Sequence, residues 1–256
     1  GGVSVEGIGN SVTFNNYSFS NNSKDFQGGS GLYIVGNNTT NVTVNNSIFS
    51  DNRNSSGSGG GAIYVSGANL TINGSRFLNN SSFQSGGPNY GGAISVGRGA
   101  TLNISNCTFT GNSVSNSGNG GAIGINTSFA GSGTTATVNL TTCAFTSNTS
   151  TTSGNHLFAR VGSSNPATFT INQCTFSVSG QDIRNDNTAT INLQNSGNPS
   201  RTGTVNVINT IAPTTIAVTS VPALQGSCYG ILLPIEFLDF TGSCEKTHAK
   251  LEWSTA

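Results

Sequence analysis

The sequence predicts an all-β protein: a three-sheet parallel β-helix of about seven coils, followed by an irregular C-terminal cap or docking segment. Two motifs carry the prediction, Phe-x-x-Asn and Gly-Gly-Ala-Ile, which recur in turn along most of the 256 residues. Between them lie short runs of alternating apolar and polar residues, with no helical periodicity of useful length. Successive motif phenylalanines are 30, 28, 32, 36 and 31 residues apart. A period of that size, built from strands alone, is typical of a solenoid whose coils bury one face on their neighbours.

The first element of each repeat is a pair of apolar residues separated by one polar residue. Such alternation predicts a short strand with one buried face. The pairs are Val12/Phe14, Val42/Val44, Leu70/Ile72, Leu102/Ile104, Val138/Leu140, Phe169/Ile171 and Ile191/Leu193.

The second element contains the motif phenylalanine, preceded two positions earlier by a residue that is usually Ser or Cys. Because coils stack about 4.8 Å apart, equivalent residues should form ladders inside the rod. The predicted buried ladders are Phe19, Phe49, Phe77, Phe109, Phe145 and Phe176, together with Cys107, Cys143 and Cys174. The Asn three positions after each Phe should either take a left-handed backbone conformation or bond a backbone group of the next coil.

The third element is Gly-Gly-Ala-Ile at 60–63, 91–94 and 120–123, with weaker versions at 29–32 and 154–157. Glycine supplies positive φ at a tight corner, and Ala indicates a narrow interior beside it. The three elements predict three parallel sheets.

Together, the two motifs resemble the repeats of polymorphic outer membrane proteins and of related right-handed β-helix proteins, over residues 1 to about 195. The resemblance implies an extracellular passenger used for adhesion or surface display, with no catalytic residues to carry over. Ser30, Asn155, His156 and Ser179 depart from the motifs and weaken the outer copies.

The two ends of the chain differ from the repeats. Residues 1–5 align with 92–96, so we expect the first coil to be open and covered either by upstream residues or by another chain. We predict a β-helix over 1–210 and a separate segment over 211–256, where the motifs are lost and Pro213 and Pro222 interrupt the alternation. This segment could cap the last coil or pair with the open end of a neighbour, and head-to-tail contacts of that kind produce a filament.

The five cysteines fall into two groups. Cys228 and Cys244 flank a short loop and are predicted to form a disulfide in an oxidising compartment. For Cys107, Cys143 and Cys174 two readings stay open, a buried column of thiols or a disulfide between neighbours. No His accompanies them, which disfavours a metal site, and no cofactor is predicted.

Asn-x-Ser/Thr occurs 16 times, less than twice what the composition alone would produce. If the source is eukaryotic, we expect several of these sequons to carry N-glycans. The candidates are Asn41, Asn69, Asn103, Asn139, Asn16, Asn73, Asn126 and Asn148.

The composition disfavours several classes of partner and of function. Charged residues make up 7% and the net charge is zero, which disfavours nucleic acid and anionic lipid as partners. No apolar run is long enough for a membrane span. The nine acidic residues are scattered, and we interpret one close pair, Asp182 and Asp186, as part of a solvated loop. We interpret His156, which stands at the Ala position of the corner motif, as the mark of a less tight corner. Tyr33 and Tyr64 are the only aromatic pair that we expect outside the core.

We therefore expect an extracellular structural protein, the subunit of a surface fibre, appendage or cell-surface coat. Its partners are expected to be further copies of itself or other surface proteins, joined through the β-helix ends. An adhesin passenger of a bacterial autotransporter is one alternative. A polysaccharide lyase or hydrolase is a second, and it would need carboxylates converging on one face.

Overall fold

A computed structural model describes residues 2–25, 28–55, 59–83, 90–116, 118–127, 135–152, 154–160, 167–177, 182–186 and 189–194, and the backbone of four later strands. All regular structure in these residues is β, and the parallel sheets stack as a β-solenoid. The all-β solenoid prediction is confirmed.

The strands follow the same order in every coil, and we name the four sheets A to D in that order. Coil 1 contains β1 (Val3–Glu6), β2 (Ser11–Asn15), β3 (Ser18–Ser20) and β4 (Ser23–Lys24). Coil 2 contains β5 (Leu32–Val35), β6 (Asn41–Asn45), β7 (Ile48–Ser50) and β8 (Arg53–Asn54). Coil 3 contains β9 (Ile63–Ser66), β10 (Asn69–Asn73), β11 (Arg76–Leu78) and β12 (Ser81–Phe83). Coil 4 contains β13 (Ile94–Val96), β14 (Thr101–Ser105), β15 (Thr108–Thr110) and β16 (Ser113–Ser115).

Nine further strands lie in the described residues of coils 5 to 7. Coil 5 contains β17 (Ile123–Asn126), β18 (Ala136–Thr141), β19 (Ala144–Thr146) and β20 (Thr149–Ser150). Coil 6 contains β21 (Leu157–Arg160), β22 (Ala167–Asn172) and β23 (Thr175–Phe176), and coil 7 contains β24 (Ile183–Asp186) and β25 (Thr190–Gln194). The last strands are β26 (Val207–Asn209), β27 (Ile216–Ser220), β28 (Phe240–Glu245) and β29 (His248–Trp253).

Sheets A and B contain eight strands each, sheet C contains six and sheet D five. All their pairings are parallel, and equivalent residues lie opposite one another: Phe77, for example, is flanked by Phe49 and Phe109. Sheets A and B continue through β26 and β27, whereas β28 and β29 form an antiparallel hairpin. In the described residues, coils 1 to 5 therefore contribute a strand to each of the four sheets, and sheets A and B have three further strands after coil 5.

Sheet D is the main difference from the prediction, which placed only three sheets in the coil. Its strands follow the motif Asn and are two or three residues long. Alternation cannot be recognised over so few residues, so the sequence showed only a variable polar stretch.

The core is a narrow column built from the inward residues of the sheets. The motif phenylalanines from Phe19 to Phe176 stack in one continuous pile, with ring centroids 4.6 to 5.0 Å apart and planes within 7° of parallel. All six are buried. Beside them lie the aliphatic ladders of sheets A and B.

The two glycines of the corner motif serve different purposes. The first has positive φ in two of the three full motifs, +75° at Gly91 and +73° at Gly120, a conformation that side chains rarely adopt. At Gly60 an added Cβ would instead lie 2.0 Å from the carbonyl oxygen of Ile63. The second is held against the next coil: a Cβ on Gly92 would lie 2.2 Å from the carbonyl oxygen of Gly121 and 2.6 Å from the backbone N of Ser113. The corner therefore requires both glycines.

Candidate functional site

The asparagines of the Phe-x-x-Asn motifs form a ladder, in which Asn22 is half-buried and Asn52, Asn80, Asn112 and Asn148 are buried. Asn80 Nδ2 donates to the carbonyl of Phe49 and to Oδ1 of Asn112, both at 2.9 Å. Asn112 repeats the pattern with Phe77 at 3.0 Å and Asn148 at 2.9 Å. Each Oδ1 also accepts the backbone N–H of the preceding Asn. The amides thus bond from coil to coil, which decides between the two predicted roles.

The left-handed backbone conformation belongs instead to the residue just before each ladder Asn. Five such residues have φ between 52° and 66°. They are Asn21, Asp51, Asn79, Gly111 and Ser147.

The ladder ends at a buried histidine. Asn148 Nδ2 lies 3.1 Å from Nδ1 of His156, whose Nε2 lies 3.0 Å from the carbonyl of Ser177 and 3.4 Å from Oδ1 of Asp182. This pattern assigns a neutral ring that accepts at Nδ1 and donates at Nε2. Burial lowers the pKa of His156, while the Ser177 carbonyl and Asp182 oppose that effect.

His156 and Asp182 have structural roles, although their residue types suggest catalysis. Their side chains are 0% and 1% exposed, so no substrate reaches them. The expected relaxed corner at His156 is corrected, because the ring fills the interior and terminates the asparagine ladder. The solvated loop expected at Asp182 is also corrected by its burial.

The Ser and Cys column makes one repeated set of contacts. Ser75 Oγ accepts the backbone N–H of Ser47 at 3.1 Å and donates to the carbonyl of Asn73 at 3.0 Å. Cys107 Sγ makes the equivalent bonds with Ser75 N at 3.3 Å and the carbonyl of Ser105 at 3.1 Å. Thiols therefore replace hydroxyls within the same ladder.

Cys107, Cys143 and Cys174 are all buried and free, which favours the thiol column over the disulfide alternative. Contact with Cys143, and then burial, raises the pKa of the Cys107 and Cys174 thiols, which keeps both protonated. The predicted Cys228–Cys244 disulfide lies outside the residues whose side chains the structure describes.

The glycan candidates fall into three groups by exposure. Asn16, Asn41 and Asn103 are exposed. Asn69, Asn73 and Asn139 are half-buried on the outer side of sheet B. Asn126 and Asn148 are buried, with exposures of 7% and 1%, and both Asn148 amide hydrogens are engaged inside the coil. The glycan prediction is corrected at Asn148, because the coil interior leaves no room for a sugar. Asn126 alternates with the core residues Ile123 and Ile125 and so lies on the outer side of sheet A, where its burial also opposes glycosylation.

The expected aromatic pair lies on the outer face of sheet A. The rings of Tyr33 and Tyr64 stack 5.5 Å apart, and Lys24 Nζ lies 4.6 Å from the centre of the Tyr33 ring. Burial, followed by the charges of Tyr64 and Glu6, raises the pKa of Tyr33. The Tyr33 ring makes one contact with Tyr64 and another with Lys24, so it offers no free face on which a sugar could stack.

The most exposed apolar surface lies in coil 1. Val3, Ile8 and Tyr17 are 40%, 76% and 55% exposed, and the core residues Phe14 and Phe19 retain 9% and 6%. Most core residues of coils 2 to 6 have no exposure at all. Among the described residues, coil 1 therefore has a neighbouring coil on one side of its apolar residues only.

Among the described residues, strands β1 and β2 of coil 1 each pair with one neighbouring strand only. Val3 N bonds the carbonyl of Gly31, and Gly7 N that of Val35. Because alternate residues of a parallel strand point to opposite neighbours, Ser4 and Glu6 direct their backbone groups away from coil 2. Among the described residues no strand pairs with β1 on that side, and the same holds for β2.

No protein-family model matches the chain, and no curated protein or solved structure is significantly similar to it. The likeness to polymorphic outer membrane proteins therefore depends on the repeat residues alone. Within the described ranges, no three His, Cys, Asp or Glu side chains come close enough to hold a metal ion. The same ranges contain no helix that could cross a membrane.

Proposed function

We propose that this chain is an extracellular structural protein, a β-helical rod that assembles end to end into a surface fibre, appendage or coat. The repeat geometry carries the proposal, because sheets A and B are stacks of parallel strands in register, and a coil of a second chain can extend such a stack in the same way as a coil of the same chain. Exposed strand edges are templates for pairing with another chain. The resemblance of the motifs to those of polymorphic outer membrane proteins supports the surface location, and N-glycans at exposed sequons such as Asn41 and Asn103 would fit it.

We propose that coil 1 pairs with the C-terminal region of a second copy. A head-to-tail contact keeps every strand parallel, so sheets A and B of one copy can continue into those of the next. Segment 228–244 is the part that we propose for this contact, as expected from its change in composition. A heterologous contact of this kind does not close on itself and therefore gives a filament.

The rod itself supplies rigidity and no chemistry. The buried Phe and Asn ladders fix each coil on its neighbours. His156 and Asp182, the residue pair with the most catalytic character, contribute to that rigidity from inside the core. This supports a structural protein over the lyase or hydrolase alternative.

Electron microscopy of the purified chain tests the proposal. We expect filaments with an axial repeat, and crosslinking should join coil 1 of one copy to residues 228–244 of another. Ser4→Pro should stop growth, because proline at a free strand edge removes a donor and blocks pairing without breaking a bond to coil 2. Ser4→Val is the matched control and should still assemble.

Single short rods at all protein concentrations would refute the assembly. Normal filaments from Ser4→Pro would show that the β1 edge is not the contact. In both variants, circular dichroism should first establish that the β-helix is intact.

A further inference from the structure

The outer face of sheet B has an unusual composition. Strands β2, β6, β10, β14, β18 and β22 each place three residues on it, and every one is Ser, Thr or Asn. The three columns are Ser11, Asn41, Asn69, Thr101, Thr137 and Thr168; Thr13, Thr43, Thr71, Asn103, Asn139 and Thr170; and Asn15, Asn45, Asn73, Ser105, Thr141 and Asn172. The face has no charge, aromatic ring or aliphatic side chain.

The other outer faces lack this uniformity. Sheet A presents Glu6, Tyr33 and Phe158 on its outer side, and sheet C presents Ile48 and Arg76. A polar surface alone would not require the exclusion of lysine and glutamate from one sheet. The uniformity therefore belongs to sheet B and is not a general property of the rod.

The groups on this face are regularly spaced. The pairings from β2 to β22 are all in register, without a bulge. Neighbouring groups are consequently about 4.8 Å apart between coils and about 6.6 Å apart along a strand. The face is a two-dimensional lattice of hydroxyl and amide groups.

The lattice is also held in place before any ligand binds. Asn45 Nδ2 donates to Asn15 Oδ1 at 2.8 Å, Asn73 Nδ2 donates to Asn45 Oδ1 at 2.9 Å, and Ser105 Oγ donates to Asn73 Oδ1 at 2.7 Å. The adjacent Thr13, Thr43 and Thr71 side chains are β-branched and restricted in χ1. Binding of a ligand would therefore cost little conformational entropy in these side chains.

We propose that the outer face of sheet B binds ice. A fixed, uncharged lattice best fits a partner that is itself a neutral lattice of hydrogen-bond donors and acceptors, and the surface of ice is one. Threonine offers a hydroxyl to bond the lattice water and a methyl group beside which water becomes ordered. Crystalline polysaccharide fits less well, because the face has no aromatic ring on which a sugar could stack.

The proposal goes beyond the structural role and does not depend on assembly. It also concerns the positions of several sequons: a glycan at Asn41, Asn69, Asn103 or Asn139 would stand on this face and cover the lattice. The ice-binding form is therefore the chain without glycans at these positions.

The test is thermal hysteresis and inhibition of ice recrystallisation by the full chain, produced in bacteria so that it carries no N-glycans. We expect measurable hysteresis and faceted ice crystals. Thr71→Lys, in the middle of the face, should lose most of this activity, because the long cation breaks the lattice. Thr108→Lys is the matched control: it is an equally half-buried, outward threonine on sheet C of the adjacent coil, and it should retain full activity.

Absence of hysteresis in the unmodified chain would overturn the proposal, as would equal losses in the two variants. Retention by crystalline cellulose without any effect on ice would overturn it in favour of a polysaccharide surface. If Thr71→Lys fails to fold, Thr43→Lys makes the same test one coil away.

Discussion

Replacement of Asn112 by Ala tests the asparagine ladder at its centre. Asn112 Nδ2 donates to the Phe77 carbonyl and to Asn148 Oδ1, and its own Oδ1 accepts from the backbone N and from Nδ2 of Asn80. The residue is fully buried, so water cannot replace these bonds.

The cost follows from the groups left without partners. In Asn112→Ala the backbone N–H of Asn80 and one of its amide hydrogens lose their acceptor inside the core. A buried donor without a partner costs about 1 to 3 kcal/mol, so the two together cost about 2 to 6 kcal/mol. Asn148 Oδ1 still accepts the backbone N–H of residue 112, and we count nothing for it.

Urea unfolding followed by circular dichroism measures the effect. Asn103→Ala is the control, because Asn103 lies in the same coil and is exposed, and its loss should cost no more than about 0.5 kcal/mol. Since solenoids can unfold in stages, the midpoints of the transitions should be compared as well as the extrapolated free energies. Equal midpoints for the two variants would refute the contribution to stability that we assign to the buried ladder.

Three further predictions concern the same core. Phe109→Ala should cost about 3 to 5 kcal/mol, because it leaves a cavity in the aromatic stack, and a loss near zero in thermal or urea unfolding would contradict the stack. Gly92→Ala should prevent normal folding, since its Cβ would collide with Gly121, and an unchanged circular dichroism spectrum and melting temperature would disprove the steric argument. The unmodified chain should lose stability as the pH falls through about 6.5, because the unfolded chain binds a proton that buried His156 resists. His156→Ala should remove that part of the dependence between about pH 7.5 and about pH 5.5, as measured by urea unfolding, and an unchanged dependence would exclude His156 as its source.

The sequence predicts those parts of the fold in which stacking forces like residues together. The Phe column and the aliphatic pairs recur because each coil buries them on identical neighbours, so their period alone indicates a solenoid. Sheet D escapes prediction because its strands are too short to show a period. The role of the motif Asn stays undecided in the sequence, since a left-handed turn and a side-chain ladder both favour asparagine.

The His156 pair was missed for a different reason. Its partner Ser177 comes at the end of the same coil and Asp182 at the start of the next, so no local motif joins them. The available signal was an ionisable residue at a corner position that elsewhere holds the buried alanines Ala62, Ala93 and Ala122. A titratable group inside the core needs a hydrogen-bonding or charged partner, and the next coil is where such a partner can lie. Asp182, which is the residue equivalent to His156 in the next coil, meets that condition.

The two proposals use different surfaces of the chain and can therefore be separated. Ser4 belongs to the β1 edge of sheet A, whereas Thr71 belongs to the outer face of sheet B two coils away. End-to-end assembly would join the sheet B faces of successive copies into one longer lattice, and a longer lattice holds ice through more simultaneous contacts. Ser4→Pro should consequently lower the ice activity of assembled material to that of single rods without abolishing it, and Thr71→Lys should remove most of the activity while filaments still form. Loss of both properties in either variant would mean that one surface serves both functions.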